Sequence, residues 1–265
     1  MERPKIGIAL GSGGARGFSH LGVLKILHEA NIPIDYIAGS SMGALVGTFY
    51  SIGQNFDDLY RLSSLFKRKY FLDFTVPKMG FIAGNRVLEF LHLFTHRKKL
   101  EDLPIPVSVV ATDLYSGEKV ILTKGSAAEA IRASISIPGV FVPPVINNRP
   151  LIDGGVVDRV PVSVAREMGA DIVIAVDCVH FEANEEVTSI FDVIIQSIDI
   201  LQNEFINRVD LQADVLLKPQ VAQYSARAFK DMPLIIKEGE AVATAHLDEI
   251  KQVIADWKEI TDETK

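Results

Sequence analysis

The chain has one cysteine, Cys178, among 265 residues, so it can form no intramolecular disulfide and is expected in a reducing compartment. It also lacks cationic excess. With 27 Lys and Arg against 34 Asp and Glu it carries a formal charge of −7, which excludes a general nucleic-acid binder. No apolar run is long enough to span a membrane, because the most apolar stretch, Ile37 to Gly53, is broken by serines and glycines. The first ten residues hold no extended apolar segment before a cleavage site, which reads as no signal peptide. No Pro/Gly/Ser linker, repeat or low-complexity tract divides the chain. The composition, 48% hydrophobic, predicts one globular domain over residues 1–265 with a sizeable core, located in the cytoplasm.

Secondary-structure signals alternate. Ile6–Leu10 reads as a buried strand running into Gly11-Ser12-Gly13-Gly14-Ala15-Arg16-Gly17. A helix follows, with Leu21, Leu24, Leu27 and Ala30 on one face and stop signals at Asn31 and Pro33. Further strands are predicted at Ile34–Ala38, Pro106–Thr112, Lys119–Leu122, Ile172–Asp177 and Val215–Lys218. Further helices are predicted at Ala44–Ile52, Ala127–Ala133, Val162–Met168, Ser189–Asn207 and Gly239–Glu259, with a frayed tail at 261–265. The alternation predicts an α/β fold of three layers, α/β/α, around a mostly parallel central sheet.

Gly39-Ser40-Ser41-Met42-Gly43 lies between a strand and a helix, the layout of a nucleophile elbow. Gly39 and Gly43 would let strand and helix approach while Ser41 adopts a strained conformation. If the first two strands are neighbours, both following loops meet at the carboxyl edge of the sheet, where open α/β folds bind ligands. The glycine loop would then offer backbone N–H groups to an oxyanion, with Gly13, Gly14 and Ala15 as candidate donors and Met42 as a fourth. Two rival readings of the loop fail on their own terms. A phosphate-binding loop needs Gly-Lys-Ser/Thr where Ala15-Arg16-Gly17 stands, and a dinucleotide fingerprint needs glycine at Arg16. Tight strand–helix packing alone also accounts for a glycine-rich loop.

A serine needs a base. Leu151-Ile152-Asp153-Gly154-Gly155-Val156 supplies a carboxylate on what reads first as a hairpin turn; aimed at Ser41, Asp153 would accept its proton. Burial is expected to raise the Asp153 pKa. His180 is the competing base, since Ser, acid, His is the order of another hydrolase fold. Those enzymes place several strands before the elbow, and this chain places one. His92 and His96 have helical spacing but no H-E-x-x-H context, so no metal is expected.

Together the three segments resemble the patatin-like phospholipase family, particularly its compact bacterial members. The shared pattern is Gly13-Gly14-Ala15-Arg16-Gly17 preceded by Gly11, then Gly39-x-Ser41-x-Gly43, then Asp153-Gly154-Gly155. The run Ala133 to Pro143 is also similar to a family segment, and the likeness covers residues 5–220. Ser12 departs from it, since many relatives carry glycine there. The resemblance implies a Ser41–Asp153 dyad without histidine, hydrolysis of acyl-lipid esters, no cofactor, and Arg16 bracing the glycine loop. The alternatives are a scaffold that binds lipid without catalysis, or a triad through His180.

Residues 55–103 are the least regular part of the chain. Phe56, Leu59, Leu62, Leu65, Phe66, Phe71, Phe74 and Phe81 accompany Lys67-Arg68-Lys69 and Arg97-Lys98-Lys99. An apolar surface with a basic fringe would suit a lid or peripheral contact with an anionic membrane; core cover by the same residues is the plainer alternative. Asp113 and Asp177 end strands on the presumed ligand edge, and Arg132 and Arg159 are candidates for a phosphate contact or ordinary ion pairs.

Overall fold

Five parallel strands form the centre of the protein, a computed structural model that describes residues 3–65, 73, 76, 78–179, 187–206 and 211–263. In chain order the strands are β1 (Ile6–Leu10), β2 (Tyr36–Ser40), β3 (Gly80–Ile82), β4 (Val107–Asp113), β5 (Lys119–Leu122), β6 (Gly139–Phe141), β7 (Val145–Ile146), β8 (Arg149–Asp153), β9 (Ile172–Val176) and β10 (Val215–Leu217). The helices are α1 (Ser19–Glu29), α2 (Met42–Ser51), α3 (Phe56–Leu65), α4 (Asn85–Phe94), α5 (Ala127–Ser134), α6 (Val162–Glu167), α7 (Ile190–Ile206), α8 (Met232–Ala245) and α9 (Leu247–Glu263).

The main sheet runs β10-β9-β1-β2-β4-β8-β7, with β5 also paired to β4. From β10 through β4 every pairing is parallel; β5, β7 and β8 join antiparallel. The fold is therefore α/β with a mostly parallel sheet, as the alternation predicted. The central strands are buried on both faces, and their side chains sort by size. Ile6, Ile8, Leu10, Ile37, Val107, Val109, Ile172, Ile174 and Val176 join the large core with residues of α1, α2 and α8. Ala9, Ala38, Val110, Val173 and Ala175 face the other way, into a smaller core with Val162, Val164 and Ala165 of α6. Alternation of bulky and small residues thus gives each layer its own depth.

Strand order reverses direction around β1, which has β2 on one side and β9 on the other. That switch point opens a crevice beyond the strand ends, and the glycine loop leaves β1 there.

Several predicted elements differ from the observed ones. Residues 55–103 include the regular helices α3 and α4, whose apolar stripes are short and interrupted. The stretch read as a single helix over Gly239–Glu259 is the end of α8 and most of α9, broken at His246 (φ −104°, ψ 6°). An unbroken apolar periodicity conceals such a one-residue break. β3, β6 and β7, of two or three residues each, are too short to show a period. Asp153-Gly154 is not a hairpin: Asp153 ends β8 and a single 3-10 turn, Gly154–Val156, follows. The hairpin lies at Asn147-Asn148, both at positive φ (51° and 61°), as a type I′ turn requires. At the chain end α9 continues to Glu263. Among the described residues no helix is long and apolar enough to cross a membrane.

Candidate active site

β2 delivers Ser41 to the sheet edge and α2 begins one residue later. Ser41 sits at φ 53°, ψ −118°, a conformation that costs about 1–3 kcal/mol in a non-glycine residue. The flanking glycines make the turn possible. A Cβ on Gly39 would lie 2.5 Å from Ala44 Cα, and one on Gly43 would lie 2.0 Å from the Leu10 carbonyl oxygen. The strained turn is also pinned from outside. Ser134 Oγ accepts the Ser41 N–H at 2.8 Å and donates to the Val110 carbonyl at 2.6 Å, tying the elbow to α5 and β4.

Ser41 Oγ donates to Asp153 Oδ2 at 2.6 Å. The other carboxylate oxygen accepts the Gly155 N–H at 2.8 Å. The aspartate's backbone is fixed too, its N–H donating to Ser136 O and its carbonyl accepting Thr112 Oγ1–H. Both side chains are buried, at 7% and 6% exposure. Burial pushes the Asp153 pKa up to about 6, against the lowering effect of the hydrogen bonds from Ser41 and Gly155, and the charge of Asp199 adds to the rise. A carboxylate so placed is a better base for a hydroxyl than one in water.

Gly13 and Gly14 line the same small hollow as Ser41 and Asp153. The Ala15 N–H, expected as an oxyanion donor, donates to the Ala226 carbonyl at 2.8 Å in this structure. The Gly13 and Gly14 amides make no backbone hydrogen bond among the described residues. Met42 opens α2, where the first amides of a helix are free and carry the positive end of its dipole.

Arg16 is buried, its Nη2 pairing with Asp199 and its backbone N–H donating to Gly13 O. It braces the loop, and Asp199 ties the loop to α7, which roofs the site. Gln202, one turn further along α7, donates from Nε2 to Gly155 O at 2.8 Å. Neither α7 residue stood out from the sequence, because Asp199 and Gln202 are two of seven polar residues spread along that helix (Asp192, Gln196, Ser197, Asp199, Gln202, Asn203 and Glu204). His20 supports the loop from below. Its Nε2–H donates to Gly11 O at 2.8 Å, and burial drives its pKa down to about 4, so the ring is neutral.

Other sequence candidates lie elsewhere. Arg132 spends its guanidinium on the carbonyls of Ala83, Gly84 and Val142 and on Ser136 Oγ. Arg159 pairs with Asp177, and Asp113 with Arg149. His92 and His96 belong to no cluster of three metal-ligating side chains, and none occurs among the described residues. His180, Phe66, Lys67-Arg68-Lys69, Phe71 and Phe74 lie outside the described residues, as do the side chains of Leu62 and Leu65.

Comparison with known proteins follows the same residues. A family model described as patatin-like phospholipase matches residues 8–166. An uncharacterized NTE family protein of Mycobacterium bovis is 40% identical over 182 residues, 68% of this chain and 51% of that protein. The lysophospholipase NTE1 of Yarrowia lipolytica is 35% identical over 65% of this chain and 12% of its own length. The human patatin-like phospholipase domain-containing protein 6 is 33% identical over 65% and 13%. The chain thus spans about half the length of the mycobacterial relative and far less of the others. Among solved structures, VipD from Legionella pneumophila superposes with a TM-score of 0.67 at 15% identity, covering 94% of this chain and 67% of that one, a likeness of fold.

Proposed function

The chain belongs to the patatin-like phospholipase family, and from that premise we propose that it is a serine hydrolase of acyl-lipid esters acting through a Ser41–Asp153 dyad. The observation that carries the reading is the 2.6 Å hydrogen bond from Ser41 Oγ to Asp153 Oδ2 at a strained elbow.

In this reading Ser41 Oγ attacks the ester carbonyl carbon as its proton passes to Asp153. The carbonyl oxygen becomes an oxyanion held by the amides of Gly13, Gly14 and Met42; loss of one such donor costs about 3 kcal/mol of transition-state stabilisation. The tetrahedral adduct collapses, the C–O bond to the alcohol breaks, and Asp153 returns the proton to the departing oxygen. Water then attacks the acyl-Ser41 ester and gives a proton to Asp153. Collapse of the second adduct frees a fatty acid and returns that proton to Ser41. No cofactor takes part. The membrane contact expected from residues 55–103 would bring the site to its substrate.

A fluorophosphonate probe and a defined phospholipid and lysophospholipid panel, with released fatty acid measured by mass spectrometry, test the reading. Labelling and release should both vanish in Ser41→Ala and labelling should persist in His180→Ala. Folded wild-type protein that neither labels nor releases fatty acid would leave a non-catalytic lipid-binding scaffold as the account.

A further inference from the structure

The hollow at Ser41 encloses about 60 Å³, whereas small-molecule sites span roughly 300–1,000 Å³. It has room for the ester centre but falls short of what a long acyl chain needs. A second cleft, of about 410 Å³, lies on the far side of Gly155, between Val156 and Val157 after β8 and Ile198 and Leu201 of α7. The two hollows share Ile198 and Gln202 as walls. We propose that the second cleft is the subsite for the substrate's acyl chain, reached from Ser41 past the side chain of Gln202; this rests on the ester-hydrolase reading above.

Gln202 has the character of a movable partition. Its Nε2 holds Gly155 O, but its Oε1 is buried with no hydrogen-bond partner, which weakens its hold on that position. Swinging the side chain outward would give Oε1 access to water in exchange for the bond to Gly155 O, and would open the wall that the two hollows share. The cleft surface suits a hydrocarbon. Leu201 is 70% exposed and Val156 43%, apolar area that a bound chain would remove from water. Arg159 also stands in the wall; its Nη2 pairs with Asp177, while its Nε and Nη1 are buried without a hydrogen-bond partner. The ion pair offsets its charge, and the remaining walls are apolar apart from Gln202. The route also fits the chemistry at Ser41: Gly155, which donates to Asp153, forms the threshold between hollows, so an acyl group held beyond it keeps its carbonyl beside the serine.

The experiment compares kcat/KM for p-nitrophenyl palmitate and butyrate in wild type, Val157→Trp, Leu201→Asp and Val193→Trp. Val157→Trp fills the cleft, while Leu201→Asp charges its mouth at an exposed position that costs the core nothing. Val193→Trp alters the exposed face of α7 outside the cleft. The palmitate-to-butyrate ratio should fall about tenfold or more in the first two variants and stay at the wild-type value in the third. An unchanged ratio in Leu201→Asp and in folded Val157→Trp, or an equal fall in Val193→Trp, overturns the proposal. Binding of a fluorescent fatty acid to Ser41→Ala, with and without the cleft substitutions, separates the two readings. If wild type cleaves no ester yet cleft substitutions weaken that binding about tenfold, the hydrolase reading fails and the acyl cleft stands. If the substitutions leave binding unaltered, the cleft proposal fails.

Discussion

Ser41 and Asp153 are separated by 112 positions in the chain and meet through a single 2.6 Å hydrogen bond. The contact is buried, so the proton it shares is shielded from water and the basicity of Asp153 is set by its surroundings. The consequences are measurable.

In the proposed dyad, hydrolysis requires the ionised aspartate, whose pKa burial lifts to about 6. A pH profile of kcat/KM for a short ester should therefore rise with unit slope through an acid limb centred near pH 6. A limb near the ordinary carboxylate value of 3.8 would show that substrate-free Asp153 is not desolvated.

Asp153→Asn should lower kcat/KM by roughly 10²–10⁴-fold, the usual contribution of a general base, and its effect on stability should oppose its effect on activity. The folded protein binds the Asp153 proton more tightly than the unfolded chain, so the ionised group opposes folding above about pH 6. That penalty fades as pH falls from 6 towards 3.8. The variant should be more stable than wild type at pH 7.5 by on the order of 3 kcal/mol, with the gap closing by pH 4 in urea titrations.

Asp199 contributes to the raised pKa of Asp153 through its charge and pairs with buried Arg16. Asp199→Asn should shift the acid limb of kcat/KM to lower pH. It should also destabilise the fold by about 3 kcal/mol, because a buried guanidinium loses its counter-ion. A loss of activity with the limb unmoved would mean that Asp199 acts only by bracing the loop.

Ser134 holds the elbow by its backbone rather than touching substrate. Ser134→Ala frees the Ser41 N–H and the Val110 carbonyl, so kcat and the rate of fluorophosphonate labelling should fall about tenfold while KM changes little. A rise in KM at constant kcat would contradict that positioning role.

Glycine substitutions should separate close approach from backbone freedom. A Cβ at Gly43 meets the Leu10 carbonyl at 2.0 Å, whereas one at Gly53, at φ +87°, meets nothing within 4 Å. Gly43→Ala should cost about 3 kcal/mol or more and abolish activity. Gly53→Ala should cost about 1 kcal/mol and leave the esterase rate as it was. Comparable Tm losses for both would undo the steric account of the elbow.

Local chemistry made much of this protein legible from its sequence. The elbow glycines, the apolar strands and the glycine loop each lie close to where the sequence puts them, because apolar runs and glycines mark where the chain must be buried or bend, even though the contacts that require Gly14 and Gly43 come from Ala226 and Leu10. Asp153 was legible as a carboxylate after an apolar run, although the turn around it was not. A 3-10 turn and a hairpin share the same Asp-Gly signal until cross-strand pairing selects one, and here Asn147-Asn148 forms the hairpin. Tertiary structure alone decided which amides stay free and what covers the site. Ala15 is engaged by Ala226, Arg16 by Asp199, and Gly155 by Gln202, partners that lie dozens to more than two hundred residues away. Sequence pattern records which residues must be buried or must bend. It does not record which distant groups burial brings together, and those juxtapositions set the pKa of Asp153 and the shape of the hollow at Ser41.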